Sequence, residues 1–149
     1  DLQDDYMGEK YSHATVMRRV TEVVGKGNLY QIGIRSCVRD EIEFSKHNTN
    51  MYLQEVLRPM KEVIKELTGR PVYMSLDIDV VDPAYAPGTG APEVCGCSST
   101  ELLEALYLTN DLNIVGFDLN EVNPVYDVSG RTALLAAKII REMLLLWNR

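Results

Sequence analysis

Asp77 and Asp79 stand two residues apart inside the run Tyr73-Met74-Ser75-Leu76-Asp77-Ile78-Asp79-Val80-Val81-Asp82-Pro83. The apolar, partly β-branched residues around them suit a strand packed on both faces. Residues i and i+2 of a strand share a face, so this spacing predicts both carboxylates on one side. Carboxylates held that close repel each other and lose hydration when buried, a cost that a cation relieves. Their oxygens suit Mg²⁺, Ca²⁺ or Mn²⁺. Asp82-Pro83 then turns the chain into the Pro/Gly-rich loop Ala86-Pro87-Gly88-Thr89-Gly90-Ala91-Pro92. Carboxylates at a strand end, followed by a long loop, describe the active-site edge of an α/β sheet.

Three further positions could join such a site. Glu121 ends the apolar run Asn113 to Leu119-Asn120, and parallel neighbours end on one sheet edge, so it is expected beside Asp79. A carboxylate there could take a planar cation by paired hydrogen bonds, although a solvated loop glutamate reads the same way. His13 directly precedes a helical pattern and could move protons near neutral pH, or simply be surface polarity. Asp1, Asp4 and Asp5 form an acidic start whose plain reading is a frayed terminus. His47 has no suggestive surroundings.

The elements that must carry these residues alternate. Ala14 to Val24 has Val16, Val20, Val23 and Val24 on one predicted helix face, closed by Gly25-Lys26-Gly27. Leu29 to Ile34 alternates like a strand, and residues 38–46 read as a charged turn or short helix. Pro59 opens a helix with a Met60, Val63, Ile64, Leu67 stripe, capped by Gly69. Ser98 and Glu101 have capping-box spacing ahead of Leu102, Leu103 and Leu106. Ser129 precedes a long last helix with Leu134, Leu135, Ile139, Ile140, Met143 and Leu144 as its apolar stripe. Strand–helix alternation implies parallel crossovers and an α/β layer fold.

Length and charge bound the remainder. The 149 residues, 46% hydrophobic and 25% charged, fit a single soluble globular domain. A net charge of −7 argues against general nucleic-acid binding, which needs an excess of Lys and Arg. No apolar run reaches membrane-spanning length, and no signal peptide is recognisable. Cys37, Cys95 and Cys97 read as reduced thiols of an intracellular, cytoplasmic protein, with Cys95-Gly96-Cys97 too tight for the usual zinc or redox spacings. Only about three strands are apparent, few for a self-sufficient parallel sheet, so a piece of a larger fold is expected.

Taken together these residues resemble the ureohydrolase family of arginases, agmatinases and their relatives. Ser75 to Pro92 is similar to the family's second metal motif almost straight through. Phe117-Asp118-Leu119-Asn120-Glu121-Val122-Asn123-Pro124 resembles the later guanidinium-binding motif, and Tyr126-Asp127-Val128-Ser129-Gly130 through Ala137 resembles the agmatinase tail. Gly8-Glu9-Lys10-Tyr11-Ser12-His13-Ala14 resembles the agmatinase loop rather than the asparagine-bearing one of arginases. The resemblance implies a three-layer α-β-α fold with a mostly parallel sheet, incomplete in this chain. Residues 1–149 would be the carboxyl-terminal portion of one ureohydrolase domain.

By that resemblance Asp77 bridges two Mn²⁺ ions, Asp79 ligates one, and Asp1 closes an Asp-x-His-x-Asp motif as a further ligand. His13 would transfer a proton and, with Glu121, bind the substrate. The implied activity is agmatinase-type hydrolysis of a small cationic guanidino substrate to urea and an amine, in a homo-oligomer. Arginase and guanidino-acid hydrolase are the alternatives within the family. A degenerate non-enzymatic partner and a haloacid-dehalogenase-like phosphatase, reading Asp77 and Asp79 as an Asp-x-Asp motif, are the alternatives outside it. One departure stands out: Val94-Cys95-Gly96-Cys97 replaces a Gly-Gly-Leu-like stretch, and one glycine is lost.

Overall fold

Short apolar runs alternating with amphipathic ones build, in this chain, paired parallel strands joined through helices. The structure, a computed structural model, describes residues 1–147. These group into two compact units, the first Asp1–Leu53 and the second beginning at Gln54.

In the first unit a single 3₁₀ turn, His13–Thr15, leads into α1 (Val16–Val24). Strand β1 (Tyr30–Ile34), α2 (Arg39–Asn48) and β2 (Asn50–Leu53) follow. β1 and β2 pair in parallel, with Tyr30 opposite Asn50. The valine face of α1 is largely uncovered in this chain: Val16, Val23 and Val24 are exposed, whereas Thr21 is buried with Met17 and Val20 half-buried beside it. Thr21 satisfies its hydroxyl on the Met17 carbonyl, which lets a polar residue take an inward position. The acidic start is not frayed either. Leu2 is buried, and the Asp1 carbonyl accepts hydrogen bonds from Met17 and Arg18 N–H at 3.0 and 3.2 Å.

In the second unit α3 (Leu57–Leu67) leads to β3 (Pro71–Asp77), and after a long loop α4 (Ser99–Tyr107), β4 (Asn113–Asn120) and α5 (Arg131–Trp147) follow. Pro59 lies in the first turn of α3, where its missing N–H costs nothing. Gly69, at φ +80°, ends the helix in the left-handed region. β3 and β4 are parallel neighbours from Pro71/Asn113 to Asp77/Asn120, as crossover connections require. Val63, Leu76, Ile78, Val81, Leu102, Leu106, Ile139 and Met143 form the core of this unit.

Two expectations change here. β3 is not packed on both faces: Tyr73, opposite Gly116 of β4, is 65% exposed, and Val115 of β4 is 59% exposed. Of the predicted α5 stripe, Ile139 and Met143 are buried, but Leu134, Ile140 and Leu144 face solvent. Among the described residues no helix is long and apolar enough to cross a membrane.

Ser98 caps α4, its hydroxyl accepting the Glu101 N–H at 3.1 Å. Ser98→Ala should therefore cost about 1 kcal/mol of stability. Urea unfolding would show this as a lower midpoint at unchanged slope, and an unchanged midpoint would refute the cap's contribution.

Candidate active site

β3 stops at Asp77 because of Asp77 itself. Its Oδ1 accepts the Asp79 N–H at 2.8 Å and caps the 3₁₀ turn Ile78–Val80. The amide that would have continued the ladder is thereby turned onto a side chain. The expectation that Asp77 and Asp79 project from one strand face is corrected: Asp77 is the last strand residue, and Asp79 lies within the turn. Ile78, completely buried between them, anchors the turn to the core. Both carboxylates are half-buried. Asp77 lies opposite Asn120 in the parallel register, so Glu121 leaves β4 at the same sheet edge, as expected. Glu121 is exposed and holds φ +64°, a conformation that non-glycine residues seldom adopt and that often marks functional positions.

The loop after β3 is fastened at several points. Asp82 accepts the Ala84 N–H at 2.9 Å and the Gly96 N–H at 3.2 Å. Cys97 donates its N–H to the Val80 carbonyl at 3.1 Å, and Asp82 N–H returns to Cys97 at 2.9 Å. Gly96 is pressed so close that a Cβ would stand 2.5 Å from the Asp82 nitrogen. The preceding Cys95 has φ +63°, in the left-handed region that favours glycine.

Farther along, Gly88 N–H donates to the buried Thr132 hydroxyl at 2.8 Å, and the Gly88 carbonyl accepts Asn123 N–H at 2.8 Å. A Cβ on Gly88 would lie 2.3 Å from Asp127 Cβ, so only glycine fits. Thr89 donates its hydroxyl to Asp79 Oδ1 and forms an antiparallel bridge with Val122. A Cβ on Gly90 would stand 4.0 Å from Glu121 Oε2, which puts that carboxylate against the loop.

Sequence reasoning missed Asp127 and Thr132. Asp127, rather than Ser129, organises the start of α5: its carboxylate accepts Thr132 N–H at 3.2 Å and Ala133 N–H at 2.8 Å. An aspartate four residues before the helix was the available signal. The Ala133 N–H, helped by Thr132 and Arg131, holds the Asp127 carboxyl below its ordinary value against the opposing effect of desolvation.

His13 and Asp1 belong to the first unit, and Asp77, Asp79 and Glu121 to the second. His13 is exposed, with its ring edge-to-face on Tyr6 at 5.1 Å. Its loop is closed by a Tyr6–Glu9 antiparallel bridge over Met7 and Gly8, both at positive φ, and by Ser12 N–H donating to Thr15 Oγ1 at 2.9 Å. The Asp1 amino group and Leu2 N–H both reach Glu41, at 2.8 and 2.7 Å. Asp4 pairs with Arg19 at 2.8 Å.

Asp77 and Asp79 offer the oxygen donors that hard divalent ions prefer. The pair is not a complete site: among the described residues no group of three or more His, Cys, Asp or Glu side chains is placed to hold a metal ion. The donor chemistry fits such an ion, and the donor number does not.

The sequence profile of the arginase family matches residues 1–146. The chain is 49% identical to an agmatinase of Bacillus cereus, over 99% of this chain and 52% of that protein. It is 39% identical to the mitochondrial guanidino acid hydrolase of Homo sapiens, over 97% of this chain and 44% of that one. The crystal structure of a putative agmatinase from Clostridium difficile superposes with a TM-score of 0.92 at 35% identity, covering 97% of this chain and 54% of that one. The chain belongs to the arginase family and has its α/β fold. It spans about half the length of the curated relatives it matches.

Asp127 carries a pH prediction. A carboxyl whose folded pKa is depressed stabilises fully above its unfolded pKa and loses that stability as pH falls through the folded one. The thermal midpoint should therefore drop as pH falls below the ordinary value of 3.8. Asp127→Asn should have a lower midpoint at neutral pH and a weaker acid dependence. Identical midpoints for both proteins at pH 7 would refute it.

Proposed function

We propose that this chain is the carboxyl-terminal portion of an agmatinase-type ureohydrolase, which releases urea and an amine from a small guanidino cation. The observation that carries the reading is the shared sheet edge: Asp77 and Asp79 leave β3 where Glu121 leaves β4, laced together by one loop. Agmatine as substrate and putrescine as product rest on the agmatinases at nearly half identity. The chain's half-length match makes activity a property of the whole protein, and the 149 residues alone should release little or no urea. Within that protein we propose a cytoplasmic homo-oligomer.

Asp77 and Asp79, with ligands from outside the second unit, would hold two Mn²⁺ ions. When bound, such a pair acidifies water and supplies hydroxide at neutral pH. Glu121 takes the guanidinium by charge-assisted hydrogen bonds and fixes its carbon at one place on the sheet edge, a proximity contribution. A carboxylate also repels anionic competitors there, which favours the cationic end of the substrate. His13, on an exposed ring beside Tyr6 in the first unit, is the residue that the resemblance assigns to proton transfer.

A guanidino acid is the second reading, favoured by the identity to the human guanidino acid hydrolase. The two differ at the end of the substrate remote from Glu121. Urea release by the full-length protein from agmatine, 4-guanidinobutanoate and arginine separates them through kcat/KM. The agmatinase reading expects agmatine to lead, and a lead for either of the others sinks it. Glu121→Gln should lower kcat/KM by roughly 30-fold or more, the equivalent of about 2 kcal/mol for a lost charge-assisted contact. A value within threefold of wild type would remove Glu121 from the role of anchor.

A further inference from the structure

We propose that Thr89 is the positioning residue of this site: its hydroxyl sets the Asp79 carboxylate, while its backbone sets the segment that carries Glu121. The proposal rests on the ureohydrolase reading above. The two aspartates are held in different ways. Asp77 takes the amide of Asp79, a group supplied by the same turn two residues on. Asp79 takes a side-chain hydroxyl from a loop residue ten positions along the chain. Its orientation therefore depends on the placement of that loop.

The loop is placed unusually firmly. Thr89 is buried at 2% exposure, and its β-branched side chain is restricted at χ1. On its amino side, Gly88 is clamped from both edges by Thr132 Oγ1 and Asn123 N–H, with Asp127 packed against its Cα. Thr132, with no exposed surface, is itself fixed because Asp127 accepts its N–H. The bridge from Thr89 to Val122 then fixes the residue that follows Glu121. An immobile carbon frame fixes where the hydroxyl oxygen lies, and that restricts where the carboxylate it meets can sit. The two functions of Thr89 use different atoms, so they can be separated.

Thr89→Val keeps the shape, burial and backbone pairing and removes the hydroxyl. Thr89→Ser keeps the hydroxyl and removes a methyl. In the full-length protein, Mn²⁺ titration of metal-stripped samples by calorimetry should show a dissociation constant raised about tenfold or more for Thr89→Val. Its KM for agmatine at saturating Mn²⁺ should stay within about threefold of wild type, because Val122 and Glu121 are still held. Thr89→Ser should stay within about threefold of wild type in both measurements. The proposal falls if Thr89→Val binds Mn²⁺ as wild type does, if its KM rises as much as its Mn²⁺ constant, or if Thr89→Ser loses Mn²⁺ affinity equally. Should Thr89→Val fail to fold, Thr89→Ala is read against the same thresholds. Wild type that takes up no Mn²⁺ and releases no urea overturns the ureohydrolase reading together with this one. Wild type that does both, with Thr89→Val unchanged, overturns this one alone.

Discussion

Two carboxylates, half-buried and two residues apart, are an electrostatic liability around which the second unit is arranged. Each is met by a donor before any ion is considered: Asp77 by the Asp79 amide, and Asp79 by the Thr89 hydroxyl. Hydrogen bonds to the ionised form offset part of the repulsion and desolvation, and they also fix where the oxygens lie. The capping bond explains the end of β3, because an amide turned back onto Asp77 is lost to the ladder. The hydroxyl bond explains why the following loop must return to the strand end. The chain's local geometry here is a consequence of its charge.

Close approach makes that return possible. Gly88 and Gly96 stand where any Cβ would strike backbone or Asp127 at well under 3 Å. Gly96 lets residues 95–97 lie flat on residues 80–82, just after Asp79, and Gly88 lets the far end of the loop lie against the start of α5. Both glycines serve through absent volume rather than through conformational freedom. Asp127 does two jobs from one position, occupying the space Gly88 leaves and capping the first amides of α5. The helix start, the loop and the strand end therefore form a single mechanical piece, with Glu121 attached to it through Val122.

Much of this was legible because its signals are local. Ser98 with Glu101, Gly69 after Leu67, and the parallel ends of β3 and β4 follow from caps and periodicity within a few residues. Family membership was legible from the long motif around Asp77 and Asp79. What was not legible depends on distant or competing partners. The strand pattern through Val81 conceals a turn, because side-chain capping by Asp77 outweighs the alternation of apolar residues. Thr132 meets Gly88 across 44 residues, which no spacing rule could link. β2, with the sequence Asn50-Met51-Tyr52-Leu53, is too short and too poor in β-branched residues to announce itself. The valines of α1 mark an apolar face, yet the buried position is Thr21, whose hydroxyl is satisfied on the Met17 carbonyl.

Donor number separates what this chain organises from what it completes. An ion with oxygen ligands needs about six donors in a nearly fixed geometry, and two aspartates cannot supply them. Yet the two present are oriented in advance, one by backbone and one by a buried hydroxyl, which lowers the ordering cost of any further ligand that joins them. Glu121 is prepared in the same sense, its left-handed backbone held by pairing immediately beyond it. A site divided along a chain can be assembled accurately only if each part is already rigid. The chemistry proposed here therefore depends first on the fastening of the Pro87–Gly90 loop, because Thr89 meets the Asp79 carboxylate and pairs with Val122, the residue after Glu121.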